Sequence, residues 1–494
     1  MQEVLEASVA QRDSHLGPST LQEVTATAAR LAEHDPGVGA LSFRNTLRGI
    51  LLTNGSPRKE LRFGGLDYAT LKQINDQIQE GYLDRWADAL TTPAPPRAER
   101  TARAIASHML DSGFFPDFLH RWWTLKVRYE EDVTKPLAEI IREAAALVAN
   151  PAKQFRVLVT FHSPLQPSTK GVRPPRNWLT GEQVSNWLRD KQFESHGLKQ
   201  QGGLLLEVSA REPESAVQAA LEKAELFAAR VLVTLRKEVR HLPYAWVEGA
   251  GRHPLQRRVR GLKIGAMQRE NRVWLESDPD GVIDPALELL APLQLGSSSA
   301  AIAGGWAAIE ALLSEPDNRS AAAERLAAIV ACAFPRAELT ELSYVVEKQD
   351  PDLARELGYA TTNRDRSRIV ARAILEDTLP PLRDHSDMAA VARLRTLLHD
   401  PHAKLNDIQM QIKDSFARLY RLRNLVLHAG LTNAVGLPAA LRTATPLVGA
   451  GIDRIVHFRY IGGIHPIELA ARARIALTTL APSRPFDCLD LLGA

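Results

Sequence analysis

A chain of 494 residues, with 45% hydrophobic and 24% charged residues, has the composition of a globular protein of two to four domains. A formal net charge of +3 is too small to attract nucleic acid through a general field, so such contacts need a local basic cluster. The two cysteines, Cys332 and Cys488, have no CxxC or Cys/His spacing, which excludes a disulfide framework and a zinc finger and favours a reducing cytoplasm.

The N-terminal stretch MQEVLEASVAQRDSHLGPS is polar and lacks the apolar core of a secretory signal. No run approaches the roughly 18 apolar residues that a membrane-crossing helix needs. The most apolar segment, ALELLAPLQL, is short and is interrupted by Pro292. We therefore expect a cytoplasmic protein with no membrane contact.

Residues 1–150 are predicted to form a helical N-terminal region. Apolar residues recur three or four positions apart in 19–34, 67–86 and 135–150. The proline-rich stretch 91–100 predicts a loop between these helices.

The stretch HRWWTLKVRYEED is both aromatic and basic, a combination that could stack on nucleic acid bases. We prefer the interpretation that Trp122, Trp123, Leu125 and Val127 fill a domain core.

Residues 151–295 are predicted to form a small α/β or α+β domain. Short β-branched or aromatic runs predict strands at 155–161, 203–210, 230–236, 244–249 and 271–277. The segment 212–230 has helical spacing, with Ser215 or Glu212 as its N-terminal cap.

The same region holds clustered basic residues that could follow phosphates: Arg257, Arg258, Arg260 and Lys263, with Arg252 nearby and Arg173 and Arg176 on a proline-rich loop. A solvated basic loop is the alternative interpretation of this cluster.

Residues 296–494 are predicted to form an all-α bundle. GSSS at 296–299 indicates a hinge, and Ser298 or Ser299 could cap the helix that follows. Amphipathic segments with short polar connections continue to residue 480. One of them ends at Pro335, and a Gly/Thr/Pro-rich turn separates Gly430 from the last segment, which begins at Gly451. The predicted fold class is thus α+β multidomain.

One helix of this bundle, expected over 407–430, carries polar residues at its end. Gly430 supplies the stop, and the predicted buried stripe consists of Ile408, Ile412, Phe416, Leu419 and Leu422. Asn424 and His428 are four residues apart and project from one face, and Arg423 reaches that face through its long side chain. An imidazole, an amide and a guanidinium can therefore converge there.

These three groups suit the cleavage of RNA without a metal or cofactor. Histidine can exchange a proton with the ribose 2′-hydroxyl or the leaving 5′-oxygen, and arginine can bind phosphate oxygens as negative charge develops. Asparagine can orient either partner. One histidine cannot easily serve both sides of a phosphorus atom, so a catalytic site implies a homodimer.

The run from Arg423 to His428, at the end of a helix in a C-terminal bundle, resembles the R-N-x-x-x-H motif of the HEPN domain family. HEPN proteins include metal-independent ribonucleases of toxin, CRISPR-associated and anti-phage systems, and the layout is similar to the ApeA-like HEPN group. The resemblance covers roughly residues 297–480. It implies catalytic roles for Arg423 and His428, a supporting role for Asn424, a joint cleft between two HEPN domains, RNA as substrate, and a phage trigger or regulatory partner.

Glu310 is a further candidate, because Trp306, Ile309, Glu310 and Leu313 lie on one stripe of the first bundle helix. HEPN bundles often carry a polar residue on the first helix, near the motif. By this resemblance, Glu310 could orient Arg423 or His428. The alternative is a solvated carboxylate at the edge of the stripe.

Other histidines are weaker candidates. His399 and His402 have a spacing that could bind metal, although Pro401 between them favours a loop. His457 and His465 could line the same cleft or simply be packed. No GxxxxGK[ST], GxGxxG, HExxH or GxSxG motif occurs.

Two other functions stay open beside the ribonuclease. The bundle could be an inactive HEPN module for dimerisation or partner binding. The chain could instead be a regulator that binds nucleic acid through the basic loop 252–263.

Overall fold

The computed structural model describes residues 1–129, 135–162, 176–194, 202–274, 281–315, 321–481 and 484–493. Within these ranges the protein combines many α-helices with a small antiparallel sheet. None of the described helices has both the length and the apolar character needed to span a membrane.

The helices are, in chain order, α1 (Gln2–Arg12), α2 (Pro18–His34), α3 (Leu41–Leu51), α4 (Leu66–Glu80), α5 (Tyr82–Leu90), α6 (Ala98–Asp111), α7 (Pro116–Thr124), α8 (Leu137–Ala149), α9 (Gly181–Asp190), α10 (Pro213–Leu235), α11 (Ala266–Arg269), α12 (Ile283–Leu295), α13 (Ser298–Leu313), α14 (Ala321–Val346), α15 (Pro351–Gly358), α16 (Asn363–Leu375), α17 (His385–His399), α18 (Pro401–Ala429), α19 (Leu437–Gly462) and α20 (Pro466–Thr479). The strands are β1 (Leu52–Thr53), β2 (Ser56–Pro57), β3 (Lys153–Phe161), β4 (Trp178–Thr180), β5 (Gly202–Ala210), β6 (His241–Val247) and β7 (Gly251–Pro254).

Contacts between these elements group the chain into two compact units. The helical unit comprises residues 1–33, 46–73 and 259–494, and the sheet unit comprises 34–45 and 74–258. The helical unit thus includes the first two helices as well as the C-terminal helices. The three domains expected from the sequence, 1–150, 151–295 and 296–494, stay a prediction.

The sheet unit is built on five antiparallel strands in the order β4-β5-β3-β6-β7. Side chains of successive residues in the central strand β3 are buried on opposite faces of the sheet, as the two-residue period of a strand requires. Val157 and Val159 pack with Ala220 of α10, whereas Leu158 packs with Val184 of α9. The sheet is therefore covered by a helix on each face.

Three of the five predicted strands are confirmed, at 155–161, 203–210 and 244–249, each with small shifts of its ends. The strand predicted at 230–236 is wrong, because residues 230–235 form the last turns of α10 and Arg236 is its left-handed C-cap. The prediction at 271–277 is wrong for residues 271–274, which form a turn and a bend, and residues 275–277 lie outside the described ranges. Strands β4 and β7 were not predicted, because they are only three and four residues long.

The cap of α10 is as predicted. Glu212 is the N-cap residue and accepts the Ser215 backbone N–H at 3.0 Å, while the Ser215 hydroxyl completes a capping box. The other Glu212 contact reaches further along the chain, since its carboxylate also accepts the Phe115 N–H at 2.9 Å.

The core prediction for the aromatic stretch is half right. Trp122 and Trp123 pack against the hydrophobic cluster of α5, α6 and α8. Leu125 and Val127 are exposed. They follow α7 in a short π-helical turn, Leu125–Tyr129, which turns their side chains to solvent.

In the helical unit, α12 and α13 form a tight helical hairpin. A Cβ atom at Gly305 would lie 3.1 Å from the Leu293 side chain, and one at Gly304 would meet the Leu289 carbonyl. The two glycines thus allow the helices to approach closely. The cap of α13 is Ser297, not Ser298 or Ser299, because its hydroxyl accepts the Ala300 N–H at 3.3 Å.

Two further expectations for the C-terminal region are wrong. The Gly/Thr/Pro-rich turn is short, because α19 begins at Leu437 and continues through Pro446. Similarly, α14 continues through Pro335. Both helices pack against α13 and α18, and burial of their apolar faces stabilises helical backbone that proline alone would disfavour.

Candidate active site

The candidate site lies at the end of α18, a helix whose sequence sets both of its ends. Pro401 occupies the first turn, and the Asp400 side chain accepts the Ala403 N–H at 3.2 Å as the N-cap. Gly430 ends the helix with φ at +66°, a left-handed conformation that glycine adopts at little cost. The predicted stop is confirmed, and the helix starts six residues earlier than expected.

The buried stripe of α18 is also largely as predicted: Ile412, Phe416, Leu419 and Leu422 are buried, and Ile408 is partly buried. This stripe packs the helix against α14, α13 and α19. It holds the last turn in place while leaving one side of that turn open to solvent.

Arg423, Asn424 and His428, called the RNH cluster below, meet on this open side. Arg423 Nη1 donates to Asn424 Oδ1 at 3.0 Å and lies 3.3 Å from His428 Nε2. A guanidinium has only donors, so His428 Nε2 must be the acceptor, and the neutral imidazole makes this contact. His428 is exposed, and Arg423 and Asn424 are half-buried.

Glu310 approaches the same arginine from α13. Its Oε2 lies 3.9 Å from Arg423 Nη2, at the outer limit of an ion pair. Trp306, Ile309 and Leu313 on the same stripe are fully buried. Glu310 thus stands at the edge of the stripe, and it faces Arg423 rather than solvent alone.

An aromatic pair lies one turn below the RNH cluster and Glu310. The ring centroids of Trp306 on α13 and Tyr420 on α18 are 4.8 Å apart. Trp306 has no exposed surface, and its indole N–H has no hydrogen-bond partner. Packing of this pair therefore sets the separation of the two helices that carry Glu310 and Arg423.

A contact of α1 with α18 lies beside the site and was not predicted. Glu3 forms ion pairs with Arg418 and Arg421, and Arg418 Nε donates to Glu3 Oε2 at 3.1 Å. Arg421 is only 7% exposed. Burial alone would raise the pKa of Glu3, but the charges of Arg418 and Arg421 hold it below its ordinary value. No local pattern signals this pairing, because its partners are about 400 residues apart.

The four basic residues proposed for nucleic-acid binding do not share one environment. Arg257 pairs with Glu225 and Arg258 with Asp117, both within the sheet unit. Arg260 belongs to the helical unit and donates to the Gly296 carbonyl at 2.8 Å, which satisfies the end of α12.

Lys263 is exposed, and its backbone passes close to Gly449 of α19. Of the two arginines on the proline-rich loop, Arg176 is exposed, and Arg173 lies outside the described residues. Binding of phosphates by these basic residues stays a prediction.

The remaining histidines have other contacts. His399 and His402 lie at the end of α17 and the start of α18, so the expected loop is wrong. His457 Nδ1 lies 3.1 Å from Glu270, and His465 accepts the Ile467 N–H as the cap of α20. In the part of the chain that the structure describes, no three His, Cys, Asp or Glu side chains are grouped to hold a metal ion. Both cysteines are buried thiols.

The RNH cluster brings a neutral imidazole, a fixed cation and an amide within hydrogen-bond distance at an exposed helix end. Such a set can accept a proton and bind an anion at the same place. Comparisons of the chain with protein-family models, with curated proteins and with solved structures found no match.

Proposed function

We propose that the protein is a metal-independent endoribonuclease, an effector of a prokaryotic anti-phage or toxin-type system, and that its C-terminal helices form a HEPN-like bundle. One observation carries the proposal: Arg423 Nη1 lies 3.3 Å from His428 Nε2 on an exposed turn. Arg423, Asn424 and His428 are the catalytic residues, and RNA is the substrate.

In the proposed reaction, His428 removes the proton of a ribose 2′-hydroxyl. Its Nε2 accepts from Arg423 in the absence of RNA, so this lone pair must first be freed. A phosphate group would draw the Arg423 guanidinium onto its own oxygens, because charge-assisted hydrogen bonds to phosphate are stronger than one to neutral imidazole. Substrate binding thereby exposes the base.

The freed 2′-oxygen attacks the adjacent phosphorus, the bond to the 5′-oxygen breaks, and a 2′,3′-cyclic phosphate forms. The leaving 5′-oxygen needs a proton from the opposite side of the phosphorus, where the same imidazole cannot reach. In a homodimer formed through the C-terminal bundle, a second copy places its own RNH cluster there, and its His428, in the imidazolium form, gives its proton to the 5′-oxygen while the first His428 keeps the proton of the 2′-hydroxyl.

Glu310 has a supporting role in this proposal. At 3.9 Å it is too far from Arg423 Nη2 for a strong hydrogen bond, but its charge favours the guanidinium position that faces His428. It also leaves the guanidinium free to turn toward phosphate.

The alternative function is that of a catalytically inactive module for dimerisation or partner binding. This alternative is favoured by the contacts of Arg423, which meets Asn424, His428 and Glu310 of its own chain. Polar residues at the end of a purely structural helix would pair with one another in the same way. A regulator that binds nucleic acid through residues 252–263 has less support, since Arg257, Arg258 and Arg260 have intramolecular partners.

The test is to incubate the purified protein with total RNA and tRNA in the presence of a chelator. We expect fragments that end in cyclic phosphate from the wild type and none from the folded, dimeric His428→Ala variant. His402→Ala, on the same helix, is the matched control and should cleave like the wild type. Equal cleavage by the wild type and His428→Ala would exclude the proposed site.

A further inference from the structure

We infer that Glu3 of the N-terminal helix is a positioning residue for the RNH cluster, an inference that deepens and rests on the proposed ribonuclease function. Glu3 touches none of the three residues. It acts through Arg418 and Arg421, which lie on α18 within two turns before Asn424.

The first support is the burial of Arg421. This guanidinium is 7% exposed, and Glu3 is the carboxylate with which it forms an ion pair. A buried cation is tolerated only with a partner, so the position of α18 here depends on Glu3 staying in place. Arg421 and His428 are seven residues apart and therefore lie on the same face of α18, two turns from each other.

The second support is that α1 also contacts the chain just after the site. Glu6 Oε1 accepts the Val435 N–H at 3.3 Å, in the short connection between Gly430 and α19. The carboxylates of α1 thus bind α18 before the RNH cluster and the connection after it. The turn that carries the cluster is held at both ends.

The third support is Gly436, at the start of α19. A Cβ atom at this position would lie 2.6 Å from the Glu3 carboxyl carbon and 2.7 Å from Oε1. Any larger residue would push the carboxylate away from its arginines. The φ angle of Gly436 is −75°, so the need for glycine here is steric and not conformational.

These contacts give two ways to remove the support without touching the RNH cluster. Glu3→Gln removes the charge and keeps the shape, whereas Gly436→Ala keeps the charge and displaces the carboxylate. Asp490→Asn is the matched control, because Asp490 is another carboxylate of the helical unit that pairs with more than one arginine: Arg364 and Arg368 on α16 and Arg336 on α14.

The experiment compares full-length wild type with these three variants in three measurements. These are kcat and KM for RNA cleavage in chelator, amide hydrogen exchange of peptides covering 418–431, and the NMR signals of the His428 ring. For Glu3→Gln and Gly436→Ala we expect kcat to fall at least fivefold with KM within twofold, exchange to quicken at least tenfold, and the His428 signals to shift. Asp490→Asn should match the wild type in all three, even if it melts at a lower temperature.

Wild-type exchange and unshifted His428 signals in both Glu3→Gln and Gly436→Ala would overturn the inference, as would the same changes in Asp490→Asn. If the wild type does not cleave RNA, the ribonuclease proposal fails, and exchange and the His428 signals alone decide the positioning role. If Glu3→Gln does not fold, the double variant Glu3→Gln/Arg421→Gln leaves no unpaired buried charge and gives the same measurements.

Discussion

Arg423 donates to Asn424 and faces His428 with the same nitrogen, Nη1, so one guanidinium edge holds the amide and the imidazole together. Lysine at this position would keep the charge, but it lacks the planar pair of nitrogens by which Nη1 contacts Asn424 and His428 while Nη2 faces Glu310. For Arg423→Lys we expect kcat for RNA cleavage to fall about 100-fold, as when one donor to a transition-state oxyanion is removed. Arg395→Lys, at an exposed ion pair on α17, should keep wild-type kcat. Undiminished kcat in Arg423→Lys would exclude a role for the guanidinium geometry.

Glu310→Gln should lower kcat about tenfold and leave KM nearly unchanged. The substitution removes the charge that favours one Arg423 orientation, and the loss corresponds to roughly 1.4 kcal/mol in the transition state. Steady-state kinetics with a labelled RNA measures both constants. Glu324→Gln removes a carboxylate from an exposed pair with Lys413 and should have no effect on either constant. A change confined to KM would instead place Glu310 in substrate binding.

Trp306→Ala should destabilise the helical unit by about 3–5 kcal/mol, because a fully buried indole leaves a cavity between α13 and α18. Trp306→Phe should cost less, since the unpartnered indole N–H disappears with the substitution. Urea unfolding monitored by circular dichroism provides the free energies. Trp274→Ala is the control, because that side chain is 87% exposed and should change stability by less than about 0.5 kcal/mol. Equal costs at both positions would contradict the packing role.

Acid should weaken the helical unit through Glu3. The charges of Arg418, Arg421 and the Met1 amino group outweigh burial and lower the pKa of this carboxyl from its ordinary value of 4.5. Folding therefore favours the ionised form, so the stabilisation is complete above pH 4.5 and is lost as the pH falls through the lowered pKa. The free energy of unfolding should decline more steeply below pH 4.5 in the wild type than in Glu3→Gln.

At pH 7 the same substitution should cost about 3 kcal/mol, because Arg421 loses its counterion. Urea titrations at a series of pH values give both results. Parallel pH profiles of the two proteins would show that Glu3 has the same pKa in the folded and unfolded states.

Arg260→Ala should destabilise the protein by about 1–3 kcal/mol, because the carbonyl groups at the end of α12 lose a charged donor. Lys263→Ala should leave stability unchanged. If Lys263 contacts RNA phosphate, its loss should also reduce the salt dependence of RNA binding by about one unit of slope. Fluorescence anisotropy at several salt concentrations measures that slope. An unchanged slope would remove Lys263 from the RNA interface.

Periodicity and capping residues predict much of this fold because they act locally. Glu212 and Gly430 mark the ends of α10 and α18 in the sequence and do so in the structure. The run 230–236 was misassigned because Val231 and Val233 favour a strand. The helix that starts at Pro213 nevertheless continues through them, since adding a residue to an existing helix costs less than starting a new strand. The turn predicted around Pro446 is helical in the structure for a similar reason, because packing of α19 outweighs the local effect of one proline.

Part of the candidate site could also be predicted from local sequence, and part of it could not. The convergence of Asn424 and His428 follows from helical spacing, and the approach of Glu310 follows from the stripe that it shares with Trp306. The ion pair of Glu3 with Arg421 could not be predicted, because nothing in the sequence around Glu3 indicates which arginine it contacts. Long-range ion pairs depend on the complete fold rather than on neighbouring residues.

The ion pair of Glu3 with Arg421 joins positions that are 418 residues apart. This separation determines when, during synthesis, the fold around the site can be completed. At roughly 5–20 residues per second, the ribosome needs about 20 to 80 seconds to make the intervening chain. During that time α1 has already emerged, but α18 has not yet been synthesised. The turn that carries His428 therefore acquires its full support only late in translation, and chains that terminate early never acquire it.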